Sequence, residues 1–108
     1  IYVHQGAIQD VIIDIRKKSK TFLKYISLKI SYKDNYLLYV PSGFAHGFCT
    51  LQEHTKLIYK VSDFYNKKLE ETIKYNDPTI NIKWLAKNNK KIISKKDIKG
   101  KFIKDLIF

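Results

Sequence analysis

The 108-residue chain contains no methionine, one cysteine, two prolines and four glycines. Because translated proteins begin with methionine, we expect this chain, which begins at Ile1, to be the C-terminal portion of a longer protein. A single cysteine, Cys49, cannot form an internal disulfide, which predicts a reduced, cytoplasmic setting. The longest apolar run, residues 36–40, is far shorter than the roughly 20 residues of a membrane-spanning helix, and no signal segment opens the chain. These absences argue against a membrane-spanning protein and against a disulfide-rich scaffold.

Arginine is also nearly absent, although the net charge is +11: Arg16 is the only arginine among 21 basic residues. Residues 85–108 carry a net charge of +6, and the rest of the chain carries +5. Proteins that bind nucleic acids depend heavily on the planar guanidinium group, so we interpret the lysine-rich C-terminal segment as solvated surface. A basic β-barrel that binds single-stranded nucleic acid through aromatic and lysine side chains stays open as the alternative.

The composition, 44% hydrophobic and 14% aromatic, is sufficient to fill a core. Side chains alternate over residues 7–15, which predicts a strand with one apolar face and one face that carries Asp10 and Asp14. Further strands are predicted at 22–30 and 36–40, and a hairpin at 48–51 and 55–61 around a turn at 52–54. Ser94 and Asp97 have the spacing of a helix capping box, so one helical turn is expected there. Many short strands in one domain, residues 1–108, predict an all-β sandwich or barrel, mainly antiparallel.

The segment Pro41-Ser42-Gly43 stops a predicted strand, and His46 follows three residues later. This arrangement resembles the second cupin motif, in which the histidine points into a barrel. Tyr36 stands where that motif has a glycine, and Thr50 stands where it has an asparagine. A cupin metal site needs further histidines in a His-x-His pattern, which this chain lacks, so we expect no metal.

A longer series of segments carries a more specific resemblance. In order, these are residues 6–16, 19–22, 41–48, 57–60, 63–65, 76–78, Trp84 and 94–97. Together they resemble the dTDP-4-dehydrorhamnose 3,5-epimerase family of nucleotide-sugar epimerases over essentially the whole chain. The resemblance implies a cupin-type jelly-roll barrel. It also implies C3/C5 epimerisation of a dTDP-4-keto-6-deoxyhexose in the biosynthesis of deoxysugars such as rhamnose.

The resemblance implies two catalytic residues. Tyr59 matches the family's acid, and we expect it to face inward because Leu57, Tyr59 and Val61 share one side of a predicted strand. Asp97 matches the aspartate that orients a catalytic histidine. The general-base histidine itself belongs to an Arg-Gly-x-His segment upstream of these residues, so we predict that this chain alone does not epimerise and that a full-length parent does.

Four residues are expected to bind substrate. His46 and Glu70 match substrate-binding positions of the family, and Tyr65 matches the aromatic side chain that stacks on thymine. Asp10 lies on the inward face of its predicted strand, and a buried carboxylate there needs a cationic partner.

The same resemblance implies a homodimer at full length and no cofactor or metal, since enolate chemistry beside an existing ketone needs neither. A small-molecule nucleotide sugar is then the expected partner, rather than a nucleic acid or a membrane. Three alternatives remain within the family: a GDP-linked substrate, epimerisation of a single carbon, and a non-catalytic relic of the barrel.

Overall fold

Strand β2, Ala7–Asp14, is the central strand in the computed structural model, which describes residues 1–60, 72–85 and 93–106. It pairs antiparallel with β3, Tyr25–Ser31, on one side and with β4, Phe44–Thr50, on the other. Both faces of β2 are covered, since Ile8 and Val11 are 0% and 1% exposed. The alternation over residues 7–15 therefore predicted this strand correctly to within one residue.

A second sheet pairs β1, Tyr2–Gln5, antiparallel with β5, Lys56–Ile58. The predicted hairpin between β4 and β5 is wrong, because the chain turns between them but each strand pairs in a different sheet. Long-range pairing to β1 and β2 replaced local pairing: β4 joins the three-stranded sheet and β5 pairs with β1.

The chain passes between the two sheets at Gly6 and again near Thr55. Gly6 has a φ of +81°, and a Cβ at that position would overlap the Thr55 side chain. The two crossings therefore touch, and glycine is required at the first of them.

Two apolar clusters lie on opposite faces of β2. Val3, Ile8 and Ile30 form one cluster between the sheets. The other cluster packs β2 against the C-terminal segments, and its members are Val11, Ile13, Ile80 and Ile103.

Asp77 joins those C-terminal segments. The carboxylate is 1% exposed and accepts the backbone N–H of Thr79 (2.8 Å), Ile80 (3.2 Å) and Ile103 (2.6 Å). A single buried side chain thus connects residues 77–80 to residue 103 through hydrogen bonds, and the apolar cluster packs around these bonds.

The predicted helical turn is present as α1, Lys95–Ile98, and the Ser94 hydroxyl accepts the Asp97 N–H at 3.2 Å. The predicted strand at 36–40 is wrong: this segment is extended, and its Leu38 pairs with the backbone of Ile1 outside any strand. The prediction of an all-β, mainly antiparallel fold is confirmed. None of the described helices is long and apolar enough to cross a membrane.

Candidate functional site

The side chains of His46 and Asp10 contact each other at ion-pair distance from two neighbouring strands. His46 lies opposite Ile12 in the β2–β4 register, so its side chain shares a face with Asp10. The distance from His46 Nε2 to Asp10 Oδ2 is 2.8 Å. The Asp10 side chain is 0% exposed and the His46 side chain 26%, so the imidazole separates a buried carboxylate from solvent.

This contact determines which ring nitrogen carries hydrogen. An ionised carboxylate only accepts hydrogen bonds, so His46 Nε2 must donate, and Nδ1 is then an acceptor in the neutral ring. The second oxygen of Asp10, Oδ1, is buried and has no hydrogen-bond partner in the described part of the chain. A buried carboxylate with one unpaired oxygen is costly, which is typical of functional rather than structural groups.

The turn before β4 sets the position of His46. Gly43 has a φ of +92°, and its carbonyl accepts the Ile15 N–H at 3.1 Å. A Cβ on Gly43 would lie 2.8 Å from Arg16 Cγ, so glycine lets the Arg16 side chain cross the turn. The guanidinium carbon of Arg16 then lies 4.7 Å from the centre of the Phe44 ring.

Asp14 holds Arg16 in this place. Its carboxylate accepts hydrogen bonds from Arg16 N, Nε and Nη2 at 2.9–3.0 Å, and from the hydroxyls of Ser19 and Thr21. These donors, with the Arg16 guanidinium first, hold the pKa of Asp14 well below its usual range, and the carboxylate in turn raises the pKa of Arg16. This network was not predicted from the sequence, although an aspartate followed by arginine, serine and threonine was a usable signal.

A cavity of about 320 Å³ lies beside β4. It is lined by Val11 and Ile13 of β2, residues 45–48 of β4, residues 72–75, Ile82, Trp84 and Asp97. The Trp84 indole N–H donates to the Tyr75 carbonyl at 2.8 Å, which fixes one wall. His46 and Asp97, both predicted from sequence, belong to the lining of this cavity. The His46 side chain, however, faces Asp10 on the opposite face of the sheet from Val11, Ile13 and Trp84.

Tyr59 does not lie where the sequence predicted it. The side chain is 64% exposed and does not line the cavity, so the expected inward orientation is wrong. The reason is that β5 ends at Ile58, and Tyr59 follows it as exposed, irregular chain. Its role as an acid stays a prediction, while Tyr65, Glu70 and Val61 lie outside the described residues.

The pairing of Asp10 with His46 was not predicted, although each residue was singled out separately. The buried carboxylate was expected to have a cationic partner, and the imidazole of His46 occupies that position. Within residues 1–60, 72–85 and 93–106, no group of three or more histidine, cysteine, aspartate or glutamate side chains is arranged to hold a metal ion.

Comparison with known proteins shows extensive similarity. A family model for dTDP-4-dehydrorhamnose 3,5-epimerase matches residues 1–105. The dTDP-4-dehydrorhamnose 3,5-epimerase of Shigella flexneri is 42% identical over 99 residues, which are 91% of this chain and 54% of that protein.

Solved structures agree with this match. The crystal structure of dTDP-4-dehydrorhamnose 3,5-epimerase from Bacillus anthracis, with TDP and PPi bound, superposes with a TM-score of 0.89 at 40% identity, covering 94% of this chain and 57% of that one. The dTDP-6-deoxy-D-glucose-3,5-epimerase of Legionella pneumophila, in complex with dTDP-4-keto-L-rhamnose, superposes with a TM-score of 0.85 at 28% identity, covering 98% and 56%. The predicted cupin-type jelly-roll class is thereby confirmed. The chain spans about half the length of these relatives.

Proposed function

This chain belongs to the dTDP-4-dehydrorhamnose 3,5-epimerase family, and we propose from that premise that it forms part of an epimerase for a dTDP-linked 4-keto-6-deoxyhexose. The relatives are named for this activity, and one of them was solved with dTDP-4-keto-L-rhamnose. The proposed reaction is the inversion of C3 and C5 through an enolate, in the biosynthesis of deoxysugars such as rhamnose.

Epimerisation beside a ketone removes a proton from carbon on one face of the sugar ring and returns a proton on the other. The reaction therefore needs a base, an acid on the opposite side and hydrogen bonds that stabilise the enolate oxygen. No electron sink is required, because the ketone itself delocalises the charge.

The observation that carries the proposal is the Asp10–His46 pair on neighbouring strands β2 and β4. Since Asp10 accepts from Nε2, the ring orientation of His46 is fixed. His46 would contact the sugar as a hydrogen-bond partner for its ring oxygens. Asp97, which lines the cavity beside β4, would orient the general-base histidine that the family carries upstream.

The remaining roles are proposed from the family motif. Tyr59 would supply the acid, Tyr65 would stack on the thymine ring, and Glu70 would bind substrate. The phenol of Tyr59 is exposed and so is accessible to a ligand that approaches from solvent.

The proposal also covers the cellular compartment and the oligomeric state. A chain with a single cysteine, Cys49, fits a reducing cytoplasm, and the full-length protein is proposed to be a homodimer that works without a cofactor or a metal.

Solvent deuterium incorporation into dTDP-4-keto-6-deoxyglucose, followed by NMR, tests the proposal. We expect no exchange with the 108-residue chain alone and exchange at C3 and C5 with a longer protein that carries the upstream segment. In the longer protein, His46→Asn should lower the exchange rate about a hundredfold, in the range of a lost general acid–base or binding contact.

His54→Asn is the matched control. His54 is exposed, lies in the turn before β5 and has a φ of +57°, which asparagine tolerates. The proposal would be contradicted if the longer protein exchanged neither the C3 nor the C5 proton. It would also be contradicted if His46→Asn and His54→Asn had the same exchange rate. Exchange at one carbon only would indicate a mono-epimerase. Activity confined to a GDP-linked sugar would mean that the substrate carries GDP rather than dTDP.

Nucleic acid is not part of the proposed function, although the exposed tyrosines are compatible with that alternative. Sequence analysis placed Tyr59 on an apolar inward face, whereas Tyr36, Tyr39 and Tyr59 are all exposed. Filter binding of single-stranded DNA at two salt concentrations separates the two functions, because phosphate contacts produce a steep salt dependence. We expect weak binding at physiological salt.

A further inference from the structure

Gln9 is a buried polar side chain in the central strand that the proposed function does not use. It is 1% exposed and lies on the face of β2 that also carries Val11 and Ile13. Burying a primary amide costs free energy unless its donors and its acceptor are all paired. The partners of Gln9 therefore indicate what this side chain does.

The amide of Gln9 binds two backbone groups of a segment far away in the sequence. Its Nε2 donates to the Lys83 carbonyl at 2.9 Å and to Ser27 Oγ at 3.0 Å, and its Oε1 accepts the Leu85 N–H at 2.7 Å. A carbonyl only accepts and an N–H only donates, so these two backbone groups fix the orientation of the amide. Gln9 thus holds the chain on both sides of Trp84.

Side chains, rather than a backbone ladder, hold this segment against the sheet. In the part of the chain that the structure describes, no backbone–backbone hydrogen bond reaches residues 82–85. The Tyr25 hydroxyl accepts the Lys83 N–H at 3.2 Å. Among the described residues, Gln9 therefore supplies two of the three hydrogen bonds to the backbone of this segment.

Trp84 extends this attachment to the next segment. Its indole N–H donates to the Tyr75 carbonyl at 2.8 Å. The residues just before Tyr75 pair with residue 101 in turn: Lys74 N–H donates to the Lys101 carbonyl at 2.9 Å, and Lys101 N–H donates to the Thr72 carbonyl at 2.8 Å. A displacement of Trp84 is thus expected to reach the backbone of residue 101.

The same series of contacts continues to the turn that carries Asp97. Gly100 donates its N–H to the Asp97 carbonyl at 3.2 Å. A Cβ on Gly100 would lie 3.1 Å from the Thr72 carbonyl oxygen, so this turn packs directly on the segment that contains Thr72. Successive hydrogen bonds and backbone contacts therefore connect the Gln9 amide to the backbone of Asp97.

We propose that Gln9 is a positioning residue for Asp97, since its amide fixes Trp84 and the bonds that follow fix the turn that carries the carboxylate. Removing the amide leaves the backbone groups of residues 83 and 85 without their partner and releases Trp84. The Asp97 carboxylate then moves relative to the rest of the cavity lining. The effect on catalysis rests on the proposed function, whereas the placement of Asp97 does not.

Two substitutions of similar size separate the hydrogen bonds of Gln9 from its volume. Gln9→Met keeps the length of the side chain and removes both donors and the acceptor. Gln9→Glu still accepts the Leu85 N–H, but it donates to the Lys83 carbonyl only when protonated, which burial and low pH favour. Gln52→Met, at an exposed position in the turn before β5, is the matched control.

Amide hydrogen exchange and fluorescence of the 108-residue chain measure the placement. In Gln9→Met we expect exchange of the Leu85 and Gly100 N–H groups to accelerate about tenfold, the effect of a weakened hydrogen bond. Trp84, the only tryptophan, should emit at longer wavelength as it becomes more exposed. The Ile15 N–H, which bonds to the turn before β4, should exchange as in the parent.

Kinetics of the longer protein measure the consequence for the reaction. With dTDP-4-keto-6-deoxyglucose, Gln9→Met should lower kcat for deuterium incorporation about tenfold and leave KM within about twofold, because a misplaced catalytic group slows the chemical step rather than binding. Relative to the parent at the same pH, kcat of Gln9→Glu should recover between about pH 8 and pH 6, and kcat of Gln9→Met should not. A residue that contributed only to stability would leave kcat of the folded protein unchanged.

Three results would overturn the inference. Exchange in Gln9→Met could accelerate at Leu85 but not at Gly100, KM could rise with kcat unchanged, or Gln9→Met and Gln52→Met could behave alike. If Gln9→Met does not fold, Gln9→Glu supplies the same comparison between low and high pH.

The two proposals fail separately. Accelerated exchange at Gly100 in Gln9→Met, together with a longer protein that has no epimerase activity, would overturn the proposed function alone. An active longer protein in which Gln9→Met alters neither kcat nor exchange at Gly100 would overturn this inference alone.

Discussion

Asp10 and Asp14 lie on the same face of the same strand, four residues apart, and both are buried, yet their surroundings differ completely. Asp14 accepts five hydrogen bonds from Arg16, Ser19 and Thr21. Asp10 has His46 on one oxygen, and its other oxygen has no partner within the described residues. Burial and position in the strand therefore do not distinguish the two carboxylates, whereas the number of hydrogen-bond donors around each does.

The difference follows from what each group must do. A saturated carboxylate stabilises the fold and resists protonation, because every lone pair is occupied. A buried carboxylate with an unpaired oxygen costs stability, a cost that proteins tolerate mainly at functional sites.

The largest loss of stability is expected from a substitution at Asp77. Asp77 is a third buried carboxylate and, like Asp14, accepts several hydrogen bonds. Asp77→Ala leaves the N–H groups of Thr79, Ile80 and Ile103 without their acceptor, at a cost of about 3–5 kcal/mol in unfolding free energy. Urea denaturation followed by circular dichroism measures this. A loss below about 1 kcal/mol would mean that the C-terminal segments do not depend on Asp77.

Asp14→Asn should cause the next largest loss of stability. Asparagine keeps one acceptor but cannot form the paired contact with the Arg16 guanidinium, so the turn at Gly43 loses its support. We expect a Tm several degrees below the parent value, measured by calorimetry. Asp34→Asn, in an exposed 3-10 turn, is the control and should leave the Tm close to that of the parent.

Acid should remove the contribution of Asp14 in a defined direction. Its pKa is lower in the folded chain than in the unfolded chain, so the unfolded chain takes up the proton first as the pH falls. The stabilisation is therefore complete above the ordinary aspartate pKa of about 3.9 and is lost progressively below it. Urea midpoints recorded between about pH 3 and pH 6 should fall toward low pH in the parent and less steeply in Asp14→Asn. Equal slopes would contradict this assignment.

The smallest effect is expected from the same substitution at Asp10. Asp10→Asn keeps an acceptor for His46 Nε2 and removes a buried charge that is only partly compensated, so the free energy of unfolding should change by less than about 1 kcal/mol. The matched variant is Asp14→Asn on the same strand. If Asp10→Asn proves more destabilising than Asp14→Asn, the distinction between the two carboxylates fails.

Prediction from sequence succeeded where a local pattern was decisive and failed where distant segments competed. The alternation in β2 and the Ser94 cap of α1 were predicted, since both depend on neighbouring residues. The predicted hairpin between β4 and β5 did not form, because each strand pairs with a strand at least 30 residues away along the chain. Tyr59 was placed inward by extending the period of β5 beyond Ile58, where the strand ends.

The candidate site shows the same division. The turn before β4 and the motif around His46 identified one side chain, and the family pattern identified Asp97, but neither could show that both line one cavity. The register between β2 and β4, which brings His46 to Asp10, is a property of the sheet rather than of either segment.

The sequence by itself determined the class of fold, the central strand and the identity of the family, because alternation and motif spacing are written in the order of residues. Only the tertiary structure decided which carboxylate is saturated and which way Tyr59 points. Those properties depend on donors and partners brought together from distant parts of the chain, and hydrogen bonding and burial act on proximity in space rather than on order along the backbone.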